Sequence, residues 1–235
     1  RPYRPAARLC GATRIGAIAG PAIIGERINP TGKKRLREAL QAGDLAYAQT
    51  LAVEQEQAGA AILDVNVGAP GVDEVALLPR AVQAVQAVSG LPLMLDSSNP
   101  AALEAALRVC IGKPVVNSTT GEAAKMEVVL PLCKRYGAAV LGLALDEDGI
   151  PETAEKRLEI AGRILDAAVV QGIAREDVGI DCLTLSAGAQ PGAAMVTLDA
   201  LALIKEKLGL VTVLGVSNVS FGLPERPLLN RTFLA

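Results

Sequence analysis

Short apolar runs alternate with Ala-rich stretches of helical period along the whole chain, and this repeat limits the possible folds more than any other feature. Seven runs read as strands: Ala22–Glu26, Ala61–Asn66, Leu93–Asp96, Pro114–Ser118, Ala139–Leu145, Val178–Asp181 and Val211–Ser217. Helical patterns follow them near Lys33–Gln41 and Leu45–Ala58, Asp73–Val88, Glu122–Tyr136, Glu152–Val170, Leu198–Leu208 and Pro227–Ala235. Asn99-Pro100 reads as the cap and first residue of one more helix, and Gly59, Gly137 and Gly209 sit where helices should stop. Repeated βαβ units predict parallel strands with right-handed crossovers. An open doubly wound sheet and a closed barrel both satisfy that pattern. The even unit length and the count of seven favour an α/β fold of the TIM (β/α)8 barrel type. The last βα unit is expected to be missing from this chain. Residues 1–21 are predicted to form an extended N-terminal flap or small hairpin, and residues 22–235 a single barrel domain.

Composition agrees with buried parallel strands. Of the 235 residues, 51% are hydrophobic but only 2% aromatic, so Ala, Val, Leu and Ile must do the packing. The net charge of −2 predicts neither a nucleic-acid nor an anionic-membrane surface. No apolar run approaches the roughly 20 residues that span a bilayer. The chain contains no His, which excludes a Ser-His-Asp triad and every His-ligated metal site. Cys10, Cys110, Cys133 and Cys182 form no C-x-x-C pair, so no protein-bound metal is expected. Their wide spacing fits free thiols and a cytoplasmic location.

The ends of the runs are the next signal. The first closes on Glu26, with Asn29 close behind. The others close on or beside Asp64 and Asn66, Asp96, Asn117, Asp146, Asp181, and Ser217-Asn218. In a parallel barrel these tips converge on the face where barrel active sites sit. A lone Asp after a strand is more often a cap or turn residue. Asp146 is assigned there, because Asp146-Glu-Asp-Gly149 reads as a solvated turn, and Asp73-Glu74 and Asn99 read as caps. The remaining carboxylates and amides suit a neutral heterocycle with several N–H donors, such as a pterin; a sugar or a nucleobase would also fit.

Five segments then resemble a known family in order: Ile24-Gly-Glu-Arg-Ile-Asn29, Leu63-Asp-Val-Asn-Val-Gly68, Leu95-Asp-Ser-Ser98, Val116-Asn-Ser118 and Gly215-Val-Ser-Asn-Val-Ser-Phe-Gly-Leu-Pro224. Together they resemble the pterin-binding methyltransferases. That family includes the folate domain of cobalamin-dependent methionine synthase and the methyltetrahydrofolate:corrinoid protein methyltransferases. The resemblance implies a barrel of the dihydropteroate-synthase-like type. It implies methyltetrahydrofolate as substrate, cobalamin or another corrinoid carried by a partner protein or domain, and a homodimer. It places Asp96, Asn117 and Asp181 on the pterin edge and Asn218 near N5 as the catalytic amide. Gly215 and Ser217 would line the ring and Arg226 would lie in the following loop. Glu26, Asn29, Asp64 and Asn66 would shape the floor.

Two alternatives stand beside this reading. Dihydropteroate synthase shares the architecture but would need basic residues for a pyrophosphate and an Asp-Pro-Gly-type turn; here Asp181-Cys-Leu-Thr184 stands instead. A non-catalytic folate-binding module is the other, and the presence of Asn218 argues against it.

Overall fold

The computed structural model describes residues 8–17, 20–190 and 192–235. Two short strands, β1 (Arg8–Cys10) and β2 (Ile15–Ala17), pair antiparallel as a hairpin. The rest of the flap expected over 1–21 includes residues 1–7 and 18–19, which lie outside the described residues. The Cys10 N–H donates to the Lys113 carbonyl at 3.3 Å, and Gly11 passes so close to the backbone of Gly90 and Leu91 that a side chain there would strike it. The hairpin therefore sits at the strand-entry end, where barrel residues serve stability rather than chemistry.

The parallel strands are β3 (Ile24–Ile28), β4 (Ile62–Asn66), β5 (Leu93–Asp96), β6 (Val115–Thr120), β7 (Ala139–Leu143), β8 (Val178–Asp181) and β9 (Val211–Val213). Their order in the sheet follows the chain from β3 to β9 without reversal. A doubly wound sheet reverses its strand order at a switch point, whereas a barrel winds one way. The sequential order thus decides between the two closures left open by the periodicity, in favour of the barrel type.

The chain divides into two compact units. The first runs to Ser118 and includes Val128–Val140. It holds β3 to β5, helices α1 (Lys34–Gln41), α2 (Ala46–Gln57), α3 (Glu74–Gln86) and α4 (Pro100–Val109), and much of β6 and α5 (Ala123–Tyr136). Pleating sends alternate residues to opposite faces. Leu63 and Val65 of β4, Leu95 of β5 and Val116 of β6 are wholly buried, while Asp64, Asn66, Asp96 and Asn117 take the other face. Leu95→Ala should lower the unfolding free energy by about 3 kcal/mol through the cavity it leaves. A fall in the urea midpoint at unchanged slope measures this; a loss of only a few tenths would mean the site collapses around the gap.

The second unit contains Thr119–Glu127 and Leu141–Ala235. It holds α6 (Ala154–Val170), α7 (Ala193–Leu203), α8 (Arg226–Leu234) and strands β8 and β9, which pair parallel. Several boundaries differ from expectation, those of α7 and β9 among them. Helix α7 starts at Ala193 rather than near Leu198, because Gly192 takes a left-handed φ of 87° and its carbonyl accepts from Met195 and Val196. Strand β9 ends at Val213 rather than Ser217, and Val216–Ser220 winds into a 3₁₀ turn. Asp73 and Asn99 cap α3 and α4 as predicted, each accepting from two backbone N–H groups. Asp146 departs from its solvated reading. It is only 6% exposed and accepts from Arg163 Nη1 at 3.3 Å, a residue 17 positions later on α6. The four cysteines are free thiols, and among the described residues no helix is long and apolar enough to cross a membrane.

Candidate functional site

In the first unit the sheet register builds the site. Asn66 of β4 lies opposite Asp96 of β5, and Asp96 lies opposite Asn117 of β6. Three neighbouring strands thus present an amide, a carboxylate and an amide in one row. Asn66 Nδ2 donates to Asp96 Oδ2 at 2.8 Å, and Asn66 Oδ1 accepts from the Gly68 N–H at 2.7 Å. Asn66 is held at both ends, so the Asp96 carboxylate is fixed in direction before any ligand arrives.

Asp64 lies two residues back on β4, one pleat beneath that row, and is 2% exposed. Its Oδ1 accepts from Asn117 Nδ2 at 3.2 Å, while its Oδ2 is buried without a hydrogen-bond partner. Burial, then the charge of Asp96, push the Asp64 carboxyl up to about 8, against the contact from Asn117. Burial also raises Asp96, with Glu26 and Glu74 adding to the effect and the Asn66 hydrogen bond opposing it. At neutral pH Asp64 is therefore largely a neutral acid, able to donate as well as accept.

Side chains that sequence patterns assigned elsewhere complete this cluster. Lys33 is the cap residue immediately before α1, where a cation opposes the helix dipole. Its ammonium instead donates to the carbonyls of Glu26 and Arg27 at 3.1 and 3.2 Å, and burial lowers its pKa against the attraction of Glu26. That misplaced charge was the available signal. Glu74 is not a cap, because Asp73 fills that role alone. The Glu74 carboxylate accepts from Ser97 Oγ at 2.6 Å and bears electrostatically on Asp96. Glu26 stands on an irregular stretch of β3, where Gln55 Oε1 accepts from the Arg27 N–H at 2.7 Å and the register shifts. Asn29 does not join the cluster's hydrogen bonds; its Oδ1 closes a local turn by accepting from the Thr31 N–H.

The second unit carries the other predicted residues. Asp181 ends β8, and its Oδ1 accepts from the Leu183 N–H at 2.8 Å. Gly215 opens the 3₁₀ turn that exposes Ser217 and Asn218. The Asn218 N–H donates to the Gly215 carbonyl at 3.0 Å, and a β-carbon on Gly215 would stand 2.8 Å from Asn218 Nδ2. A larger residue at that position would make the amide end of Asn218 shift. Arg226 is the first residue of α8 rather than a loop residue. Its guanidinium braces the turn, donating to the Ser217 carbonyl and to Ser220 Oγ, both at 3.1 Å. Among the described residues no group of three or more His, Cys, Asp or Glu is arranged to hold a metal ion.

The family described as pterin binding enzyme matches residues 25–232, and the chain belongs to that family. The methionine synthase of Mycobacterium leprae is 36% identical over 225 residues, which are 90% of this chain and 19% of that protein. This chain thus spans about a fifth of the methionine synthases it matches. The methylcorrinoid:tetrahydrofolate methyltransferase of Eubacterium limosum is 31% identical over 218 residues, covering 79% of that protein. Among solved structures, the dihydropteroate synthase of Coxiella burnetii in complex with pteroic acid superposes with a TM-score of 0.68 at 17% identity, over 97% of this chain and 87% of that one. The Stenotrophomonas maltophilia dihydropteroate synthase gives 0.67 at 20% identity, over 88% of this chain and 76% of that one. At such identities the likeness concerns the fold, and it agrees with the barrel type expected from the periodicity.

Proposed function

We propose that this chain binds a reduced folate and moves a methyl group between its N5 and the cobalt of a corrinoid carried by a partner protein or domain. The observation that supports this reading most directly is the Asn66–Asp96–Asn117 row. It offers a fixed carboxylate acceptor flanked by amides, complementary to the adjacent 2-amino and N3–H donors of a pterin. The relatives at 31–36% identity, named methionine synthase and methylcorrinoid:tetrahydrofolate methyltransferase, favour methyl transfer over pteroate synthesis.

In this proposal Asp96 and Asn117 hold the pterin edge, and the resemblance assigns Asp181 to the same ring. Gly215 and Ser217 line it, Arg226 keeps the turn in shape, and Glu26, Asp64 and Asn66 form the floor. The corrinoid supplies the cobalt that exchanges the methyl group when its carrier docks. The chain's own task is to make N5 a better leaving group. N5 gains electron density as the methyl departs, and a hydrogen bond from Asn218 strengthens in step with that change. An amide does this without titrating, so no His is required. A corrinoid protein is the proposed partner, a homodimer the proposed assembly and the cytoplasm the proposed location.

Titration with methyltetrahydrofolate tests the reading. Asp96→Ala should weaken binding about tenfold or more, since a buried hydrogen bond to a charged group is worth about 1.5–3 kcal/mol. Undiminished affinity would remove Asp96 from the site. Condensation of a pterin pyrophosphate with 4-aminobenzoate, in place of methyl transfer, would replace this reading with the synthase one.

A further inference from the structure

Among the described residues, Arg157 of α6 is the largest fully buried side chain, at 1% exposure. Arginine is almost never buried to this degree unless its charge is compensated. Here the hydrogen bonds run to neutral oxygens. Nε donates to the Pro151 carbonyl at 3.0 Å. Nη1 donates to the Cys182 carbonyl at 2.7 Å, the Leu183 carbonyl at 2.9 Å and Thr197 Oγ1 at 3.2 Å. Burial lowers its pKa, and the negative charges that oppose this are those of Cys182 and Asp181. The Cys182 thiol is itself pushed up to about 12 by burial.

These contacts grip one short segment, the two residues that follow Asp181. Leu183 is held there in the left-handed region at φ 59°, which a leucine seldom adopts. In that conformation its N–H turns back to Asp181 Oδ1 at 2.8 Å. Thr197, fully buried on α7, tightens the same point, with its hydroxyl 3.1 Å from the Leu183 carbonyl and 3.0 Å from that of Ala193. The chain of cause runs from Arg157 to the Leu183 carbonyl, to the Leu183 N–H, to the Asp181 carboxylate.

We propose that Arg157 is a positioning residue for folate binding: its guanidinium fixes the Cys182–Leu183 turn and so sets the direction of the Asp181 carboxylate. The proposal rests on the folate reading and on the assignment of Asp181 to the pterin. Lysine cannot replace this arginine, because a compact ammonium cannot reach the carbonyls of Pro151, Cys182 and Leu183 from one side at once.

The test is a double-mutant cycle read as the dissociation constant of methyltetrahydrofolate, on protein shown to be folded by circular dichroism. Arg157→Lys should bind about tenfold more weakly, a loss equivalent to one hydrogen bond to a charged group. Asp181→Asn should lose a similar factor. Because Arg157 acts through Asp181, the double variant should bind no more weakly than Asp181→Asn alone, whereas a merely structural role would give losses that multiply. Unchanged affinity in folded Arg157→Lys, or multiplying losses, overturns the proposal. If Arg157→Lys does not fold, Thr197→Val carries the test through the same turn, and unchanged affinity there overturns it equally. A wild-type chain that fails to bind the folate would overturn the functional reading itself. Wild-type binding with an undiminished Asp181→Asn would overturn this proposal alone.

Discussion

Asn218→Ala should keep methyltetrahydrofolate affinity within an order of magnitude and slow methyl transfer about 10²–10³-fold, the loss seen when one transition-state hydrogen-bond donor is removed. Asn218 is exposed on a 3₁₀ turn held by its own backbone hydrogen bond to Gly215 and by Arg226 from α8, so truncating the side chain leaves the turn in place. In the proposed role the contact would be weak with the ground-state amine and strong with the departing one, and so would enter the rate rather than the affinity. Stopped-flow spectroscopy with free cob(I)alamin reads the rate, and equilibrium titration reads the affinity. Equal losses in both would make Asn218 a simple binding residue. Gly215→Ala should fail in the same direction, because the added carbon would stand 2.8 Å from the amide nitrogen.

Asp64→Asn should flatten the pH dependence of stability. The native carboxyl titrates at about 8 against 3.8 for its ordinary value, because it is buried beside Asp96. The folded state therefore binds this proton more tightly than the unfolded chain. The stabilisation is fully present below about pH 4 and is lost as the pH rises to about 8, at about 1.4 kcal/mol per unit and on the order of 5 kcal/mol in all. An asparagine carries no such charge, so the variant should be more stable than the wild type at pH 9 and lose the slope between. Urea unfolding at pH 5, 7 and 9 measures this. A wild-type slope equal to that of the variant would mean that Asp64 is already ionised at neutral pH.

Much of this site was legible in the sequence because parallel strands make the end of each apolar run a point on one face. Asp64, Asn66, Asp96 and Asn117 stand out that way; the register joins the last three, and a hydrogen bond from Asn117 joins Asp64 to them. Their hydrogen bonds were not legible, since Asn66 and Asp96 are 30 residues apart and Asn117 and Asp64 are 53 apart. Asp146 was misjudged for the same reason. Its polar neighbours suggest solvent, but a distant arginine on α6 covers it. Lys33 and Glu74 were read as ordinary helix starts, although one carries the wrong charge for that place and the other repeats a cap already supplied by Asp73. The end of β9 was overrun because Val211–Ser217 keeps a strand-like composition. The strand stops at Val213, and from Val216 the backbone winds into a 3₁₀ turn.

The Asn66–Asp96–Asn117 row also bears on where this protein can change. These three side chains are placed by the pairing of strands rather than by loops. A loop can lengthen or lose residues without moving any of the three. A single residue inserted within β5 would instead exchange Asp96 for a neighbour that faces the helices, bringing the wholly buried Leu95 toward the mouth or sending Ser97 into its place. Variation in such a lineage should therefore collect in the connections, while the three-residue row is inherited as one unit or lost as one.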